Sequence, residues 1–207
     1  GNQLKLKDGV ALDHEAEPSV GVQVTTTDAG GLSHSESFTI TVGNVNEGPT
    51  GVGLPKTSVA ENASGAVIGA LSTVDPDQGD SHTYAVSDAR FEVVNGQLKL
   101  RDGIALDHEA EPTVAIDVTT TDAGGLAHTE TLVIAVDNVN EGPSDIALSN
   151  ATVAENAAGA VVGALSTVDP DQGDSHTYAV SDARFQVIGD QLKLKDGVAL
   201  DHEAEPT

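Results

Sequence analysis

The sequence predicts an all-β chain of tandem seven-stranded Greek-key β-sandwich repeats. Three observations predict it. The string LDHEAEP recurs with its aspartate at Asp13, Asp107 and Asp201, a period of 94 residues (107 − 13 and 201 − 107). Apolar residues fall in short alternating runs separated by turn residues, the pattern of half-buried strands. No stretch carries an apolar period of 3.6, so helices should be minor.

A period of that length matches one sandwich domain. Gly65 to Phe91 recurs at Gly159 to Phe185 with one difference, Ile68 against Val162. Such near-identity points to recent duplication in a chain selected for length. The NVNEGP segments, Asn44 to Pro49 and Asn138 to Pro143, follow apolar strands and read as linkers. Boundaries are therefore expected near Gly48 and Gly142. Residues 1–48 form the C-terminal part of one repeat, 49–142 a complete repeat, and 143–207 the N-terminal part of another.

Seven strands are expected in the complete repeat. Strand A lies near Thr57 to Ala60, B at Ala66 to Val74, C at Ser81 to Ser87 and D at Phe91 to Val94. Asn95-Gly96 then closes a tight hairpin into E, Gln97 to Arg101, because both residues tolerate the positive φ that such turns require. Strand F runs from Thr113 to Thr121 with Val114, Ile116 and Val118 on one face, and G from Thr129 to Val136 with Leu132, Ile134 and Val136 inward. By the same pattern residues 1–48 hold strands E to G and 143–207 hold A to E, so both leave sheet edges open. The arrangement is immunoglobulin-like.

Composition narrows the function. Asp and Glu number 33 against 9 Lys and Arg, a formal charge of −24. That excludes nucleic acid and anionic membrane as partners. Hydrophobic residues reach 38% with only 2% aromatic, which is a folded β-rich composition. With no Cys, disulfides and thiolate sites are unavailable. No apolar run approaches the ~18 residues of a membrane helix.

Strands that alternate in direction send their connections to alternate poles of the sandwich. One pole collects Glu61 after A, Asp107 and Glu109 between E and F, and Asn138, Asn140 and Glu141 after G. The other carries Asp75, Asp77 and Asp80 between B and C, and Asp122 between F and G. Repeats stacked end to end across a short linker bring these poles face to face. Carboxylates ~4–6 Å apart repel by on the order of 1 to 4 kcal/mol per pair, and a central cation reverses that sign. The donors are hard oxygens without thiols, which favours calcium over zinc or copper, and over magnesium with its strict octahedral shell.

The set VAEN, DPD, LDHE, TDAGG and NVNEGP resembles the calcium motifs of cadherin repeats, and more closely those of bacterial cadherin-like tandem repeats in long secreted, RTX-type surface adhesins. The resemblance spans the whole chain, with five motifs in order within one period. It implies several calcium ions per repeat junction. The first junction would take Asp13, Glu15, Asn44, Asn46 and Glu47 from above with Asp75, Asp77 and Asp122 from below. The second would take Glu61, Asp107, Glu109, Asn138, Asn140 and Glu141 with Asp169 and Asp171. Asp28, Glu155, Asp201 and Glu203 match ligands of junctions outside the chain. The NVNEGP linker departs from the animal DxNDNxP form by one residue and by Glu in place of Asp.

Asp and Asn favour turns and keep a surface soluble, yet that alone does not sort them by pole. For Asp88, Glu92, Asp102, Glu111, Asp117 and Glu130 the solvated-surface reading is the better one. DPDQGD opens like an EF-hand loop, but its twelfth position is Val86 and strands flank it. The glycine-rich nonapeptide of calcium β-rolls is absent, so any ion belongs between repeats.

The seven His, at positions 14, 34, 82, 108, 128, 176 and 202, read as exposed strand or loop residues. No nucleophile elbow accompanies them, so an enzyme is not supported. Tyr84, Tyr178, Phe91 and Phe185 are assigned to the core, and the lysines of QLKLKDG to the solvent face of strand E. The expectation is an extracellular, secreted or surface-attached rod stiffened by interdomain calcium for cell or surface adhesion and biofilm, partnered by neighbouring repeats. The alternative is an adhesive module that binds a like repeat, as in homophilic adhesion, or a surface glycan or protein receptor.

Overall fold

A computed structural model describes residues 3–204. By internal contacts the chain divides into two compact units, Gly1–Asp137 and Asn138–Thr207. Both are all-β among the described residues.

The first unit opens on a nine-plus-nine hairpin, β1 (Ser19–Thr27) and β2 (Ser33–Thr41). It continues with β3 (Gly51–Gly53), β4 (Ser58–Ala60), β5 (Val67–Ala70), β6 (Ser72–Val74), β7 (Thr83–Val86), β8 (Phe91–Val94), β9 (Gln97–Leu100), β10 (Thr113–Thr121) and β11 (Ala127–Asp137). One sheet has the order β4-β11-β10-β7, in which β4 pairs parallel to β11 and the rest are antiparallel. The opposing layer is β5-β9-β8, extended by the β3-β6 pair. Expected strand B is thus two strands, β5 and β6, and the A region supplies one strand to each sheet.

The core lies between these sheets. Val114, Ile116 and Val118 of β10 and Ile134 and Val136 of β11 meet Ile68, Phe91, Leu98 and Leu100 from the other layer, all buried. Burying each such side chain contributes about 1.5–3 kcal/mol. Period-two alternation in β10 puts every second residue inward, as its burial pattern shows. Asn95 and Gly96 both adopt positive φ (51° and 74°), the hairpin geometry expected of them.

The second unit contains β12 (Asp145–Leu148), β13 (Val161–Val168), β14 (Phe185–Ile188) and β15 (Gln191–Leu194) in the order β12-β13-β15-β14. The positions 94 residues after β4 and β7 carry no strand there. In the first unit those two strands pair only with β11 and β10, and the described residues of the second unit include no counterpart of either.

Expected strand E of residues 1–48 is also missing: 3–7 carry no strand, although Gln3 to Leu6 has the same four residues as β9. The reason is that β9 is held by β5 and β8, and no such partners flank residues 3–7.

The lysines of this motif are not simply on a solvent face. Lys99 lies between Asp102 at 2.8 Å and Glu92 at 3.4 Å. Several residues assigned to solvated surface are likewise engaged. Arg90 bridges Asp88 and Glu111, Glu130 accepts the Val52 backbone N–H at 2.8 Å, and Asp117 accepts the Thr131 hydroxyl.

Candidate metal centre at a repeat linker

The linker after β2 is bound to the loops after β6 and β10 through side-chain oxygens. Asn44 Nδ2 donates to Asp77 Oδ1 at 2.8 Å, and the Glu47 backbone N–H donates to Asp77 Oδ2 at 2.7 Å. Asn46 Nδ2 donates to Asp122 Oδ2 at 2.9 Å, while Asp122 Oδ1 accepts the Leu126 N–H at 2.8 Å. Asp77 and Asp122 are both buried. Asp75 Oδ1 in turn accepts the Asp77 N–H at 2.9 Å.

The turn of the LDHE motif comes to the same place. Asp13 Oδ1 accepts the Ala16 N–H, and His14 Nδ1–H donates to the Val42 carbonyl at 2.7 Å, which pins the turn to the end of β2. The charges of Glu15 and Asp13 both act on the Glu47 carboxyl. All eight residues expected at the first junction, Asp13, Glu15, Asn44, Asn46, Glu47, Asp75, Asp77 and Asp122, therefore belong to one constellation of loops.

Its electrostatics are uneven. Burial first, and then the charges of Glu15, Asp13 and Asp77, push the Glu47 carboxyl above the usual range. Asp77 is held below it, chiefly by the Glu47 N–H and then by Asn44. Burial acts to raise Asp122, but Asn46 and the N–H groups of Leu126, Gly125 and Gly124 outweigh it and lower the pKa. The backbone and asparagine donors thus stabilise two anions, and Glu47 bears the uncompensated repulsion.

Gly124 of the TDAGG motif is where the linker packs most closely. A Cβ there would lie 2.6–2.7 Å from the Asn46 amide atoms. A side chain there would require the Asn46 amide to shift.

At the opposite end of the same sandwich, Glu61 is buried and its Oε2 accepts the His108 N–H at 2.8 Å. Asp107 Oδ1 accepts the Ala110 N–H, and Glu109 brings a carboxylate oxygen within 4.8 Å of one from Glu61. Asp28, in the β1–β2 turn, accepts the Leu32 N–H at 2.9 Å as Asp122 accepts Leu126.

The second unit repeats the linker geometry. Asn138 Nδ2 donates to Asp171 Oδ1 at 2.9 Å, the Glu141 N–H donates to Asp171 Oδ2 at 2.6 Å, and Asp171 N–H donates to Asp169 Oδ1. Asn140 Nδ2 donates to the Glu141 carbonyl. Glu155, Asp201 and Glu203 set one carboxylate oxygen each within 4.8 Å of the others.

Sequence reasoning missed the histidines. His82 Nε2–H donates to Asp75 Oδ2 at 2.8 Å, and His176 does the same to Asp169 at 2.8 Å. His108, like His14, donates from Nδ1 to a strand carbonyl, that of Val136, at 2.6 Å. These are ordered, partly buried donors rather than exposed residues. The signal was their recurrence at fixed offsets from each acidic motif. His34, with its side chain 78% accessible, and His202 are exposed as expected.

No family model matches the chain. Human protocadherin beta-1 is 32% identical over 155 residues, which is 67% of this chain and 19% of that protein. Among solved structures, extracellular cadherin domains 1–4 of protocadherin gamma B7 match at a TM-score of 0.68 with 22% identity, covering 94% of this chain and 53% of that one. Domains EC22–24 of mouse cadherin-23 match at 0.60 with 17% identity, over 92% and 68%. The human desmocollin-1 ectodomain matches at 0.54 with 17% identity, over 94% and 42%. The chain thus spans about a fifth of the curated relative and about half of the first of these structures. Its fold is cadherin-like, an immunoglobulin-like β-sandwich, and the proteins it resembles are cadherins and not enzymes.

Proposed function

We propose that this chain is a calcium-binding segment of an extracellular adhesin of the bacterial cadherin-like type, in which calcium at the linkers converts a jointed string of repeats into a stiff stalk. The observation that carries this reading is the placing of Asp13, Glu15, Glu47 and Asp77 around one linker, with the Glu47 carboxyl pushed up by burial and then by the charges of the other three. Carboxylates and amide oxygens with no sulfur are the donor set of a hard divalent cation.

Asp77, Asp75 and Asp122 would hold the ion from the sandwich, Glu47, Asn44 and Asn46 from the linker, and Asp13 and Glu15 from the preceding turn. Calcium supplies the positive charge that offsets their mutual repulsion. The linker donors already fix Asp77 and Asp122, and His82 fixes Asp75, so the ligand geometry is set before the ion arrives. Because an ordered linker binds calcium better than a disordered one, calcium at about 100 times Kd stabilises it by ~2.7 kcal/mol. Export into a calcium-rich medium would switch the stalk from flexible to stiff. The same linker pattern at Asn138, Asn140, Glu141, Asp169 and Asp171 supports a second site of the same kind.

Calcium titration by calorimetry, with melting and small-angle scattering in calcium and in chelator, tests the proposal. Heat of binding, a higher Tm and a longer, stiffer particle in calcium are expected. An identical Tm and scattering profile in the two conditions would remove the stalk reading.

A further inference from the structure

We propose that Thr73, Thr120 and Tyr84 are positioning residues for the linker site: their hydroxyls hold the two loops that carry Asp75, Asp77 and Asp122 at the separation a bound cation requires. The proposal rests on the calcium reading of that site and assigns it a support that none of its carboxylates supplies.

The three hydroxyls meet inside the sandwich. Thr73 Oγ1 lies 2.8 Å from Thr120 Oγ1 and 2.9 Å from the Tyr84 hydroxyl. Thr120 is fully buried, and it directly opposes Tyr84 in the pairing of β10 with β7. Thr73 comes from β6, in the other layer. The hydrogen bonds therefore cross from one sheet to the other. Along β10 the inward positions Val114, Ile116 and Val118 are aliphatic, and Thr120 ends the series with a hydroxyl. A buried hydroxyl is costly unless it finds partners, so its place here calls for a role. Apolar burial is non-directional and tolerates a small slip of one sheet over the other, whereas a hydrogen bond holds its distance and angle.

The position of these residues in the chain ties them to the site. Thr73 stands two residues before Asp75, and Thr120 two before Asp122. Tyr84 stands two after His82, which donates to Asp75 Oδ2 at 2.8 Å. Residues two apart in a strand share a face and lie about 7 Å apart along it. Each hydroxyl is thus at the foot of one member of the site. The linker bonds both loops at once, Asp77 through Asn44 and the Glu47 N–H, and Asp122 through Asn46. A slip between the sheets would draw those loops apart, and the Thr73–Thr120 bond opposes it. Thr167 and Tyr178, 94 residues on, repeat the Thr73–Tyr84 pair at 2.8 Å.

Two substitutions separate positioning from stability. Thr120→Val keeps the shape of the side chain, and Thr73 and Tyr84 still bond one another. Thr120→Ser keeps the hydroxyl and gives up a methyl group from the core. The 207-residue chain and both variants are compared by calcium calorimetry and by melting in chelator. The proposal expects a crossed result. Thr120→Val melts at or above the temperature of the parent chain and binds calcium about tenfold or more weakly. Thr120→Ser melts lower and binds calcium as the parent does. Affinity that follows Tm in both variants, or a Thr120→Val chain that binds calcium as tightly as the parent, overturns the proposal. A parent chain that gives no heat with calcium removes the calcium reading instead, and hydrogen exchange of the Glu47 amide in chelator then decides. Faster exchange there in Thr120→Val, with the β10 amides unchanged, supports the positioning role. Equal exchange at Glu47, or an increase shared by the β10 amides, overturns it.

Discussion

Glu47 donates its backbone N–H to Asp77 Oδ2 at 2.7 Å while its own carboxyl is raised, first by burial and then by the charges of Glu15, Asp13 and that same Asp77. One residue therefore both ties the linker to the sandwich and strains the tie. The two effects separate chemically, because the N–H survives every substitution except proline.

Glu47→Gln keeps the tether and removes the repulsion. In chelator its Tm should exceed that of the parent chain, whereas its calcium affinity should fall about tenfold or more with the loss of a charged ligand. The sign therefore reverses between the two media. A lower Tm in chelator would show that Glu47 is not under net repulsion.

Gly124→Ala places a methyl group against the Asn46 amide, so the Asn46–Asp122 hydrogen bond at 2.9 Å must give way. Overpacking of this kind costs about 1–3 kcal/mol. Gly30, the counterpart in the β1–β2 turn, meets only the Asp28 carboxylate at 3.3 Å, and Gly30→Ala should be near neutral. Denaturant melts of the two variants, run side by side, check the contrast.

Leu98 is fully buried and Leu4, the same residue of the same QLKL string, is 64% exposed. Leu98→Ala should cost about 2–5 kcal/mol, and Leu4→Ala about 0.5 kcal/mol or less. Urea titrations followed by far-ultraviolet dichroism measure both. Equal losses would mean that residues 3–7 pack as a strand in solution.

The Arg184 guanidinium beside Asp182 holds its carboxyl down to about 2 from an ordinary 3.8. A depressed carboxyl pKa favours the anion in the folded state. The stabilisation is therefore complete above the ordinary value and is lost as pH falls toward 2. Asp88 is lowered in the same direction by Arg90. Arg184→Gln should lower Tm at neutral pH and flatten the Tm-against-pH curve between about 4 and 2. A parallel curve displaced downward at every pH would exclude the linkage.

The period and the strand order of the complete repeat were legible because they are written in local residue type: alternation, turn residues and motifs at fixed offsets. Gln3 to Leu6 marks the limit of such reading. It repeats Gln97 to Leu100 residue for residue, yet only the latter is a strand, since a strand exists through partners that lie elsewhere in the chain. The segments at 152–154 and 177–180 were overread for the same reason. The histidines were underread because a ring's partner is a tertiary fact: nothing local to His82 says that Asp75 turns back to meet it.

The sandwich of the first unit is closed by its last two strands, since β11 holds β4 and β10 holds β7. A nascent repeat therefore cannot finish folding until the 37 residues from the end of β9 at Leu100 to the end of β11 at Asp137 (137 − 100) have followed out of the ribosome. During that wait an unfinished repeat displays a sheet face that any hairpin of the same pattern could cap. In an array whose neighbours are nearly identical, vectorial emergence itself is then the proofreader, because the first hairpin to arrive at each open half is its own.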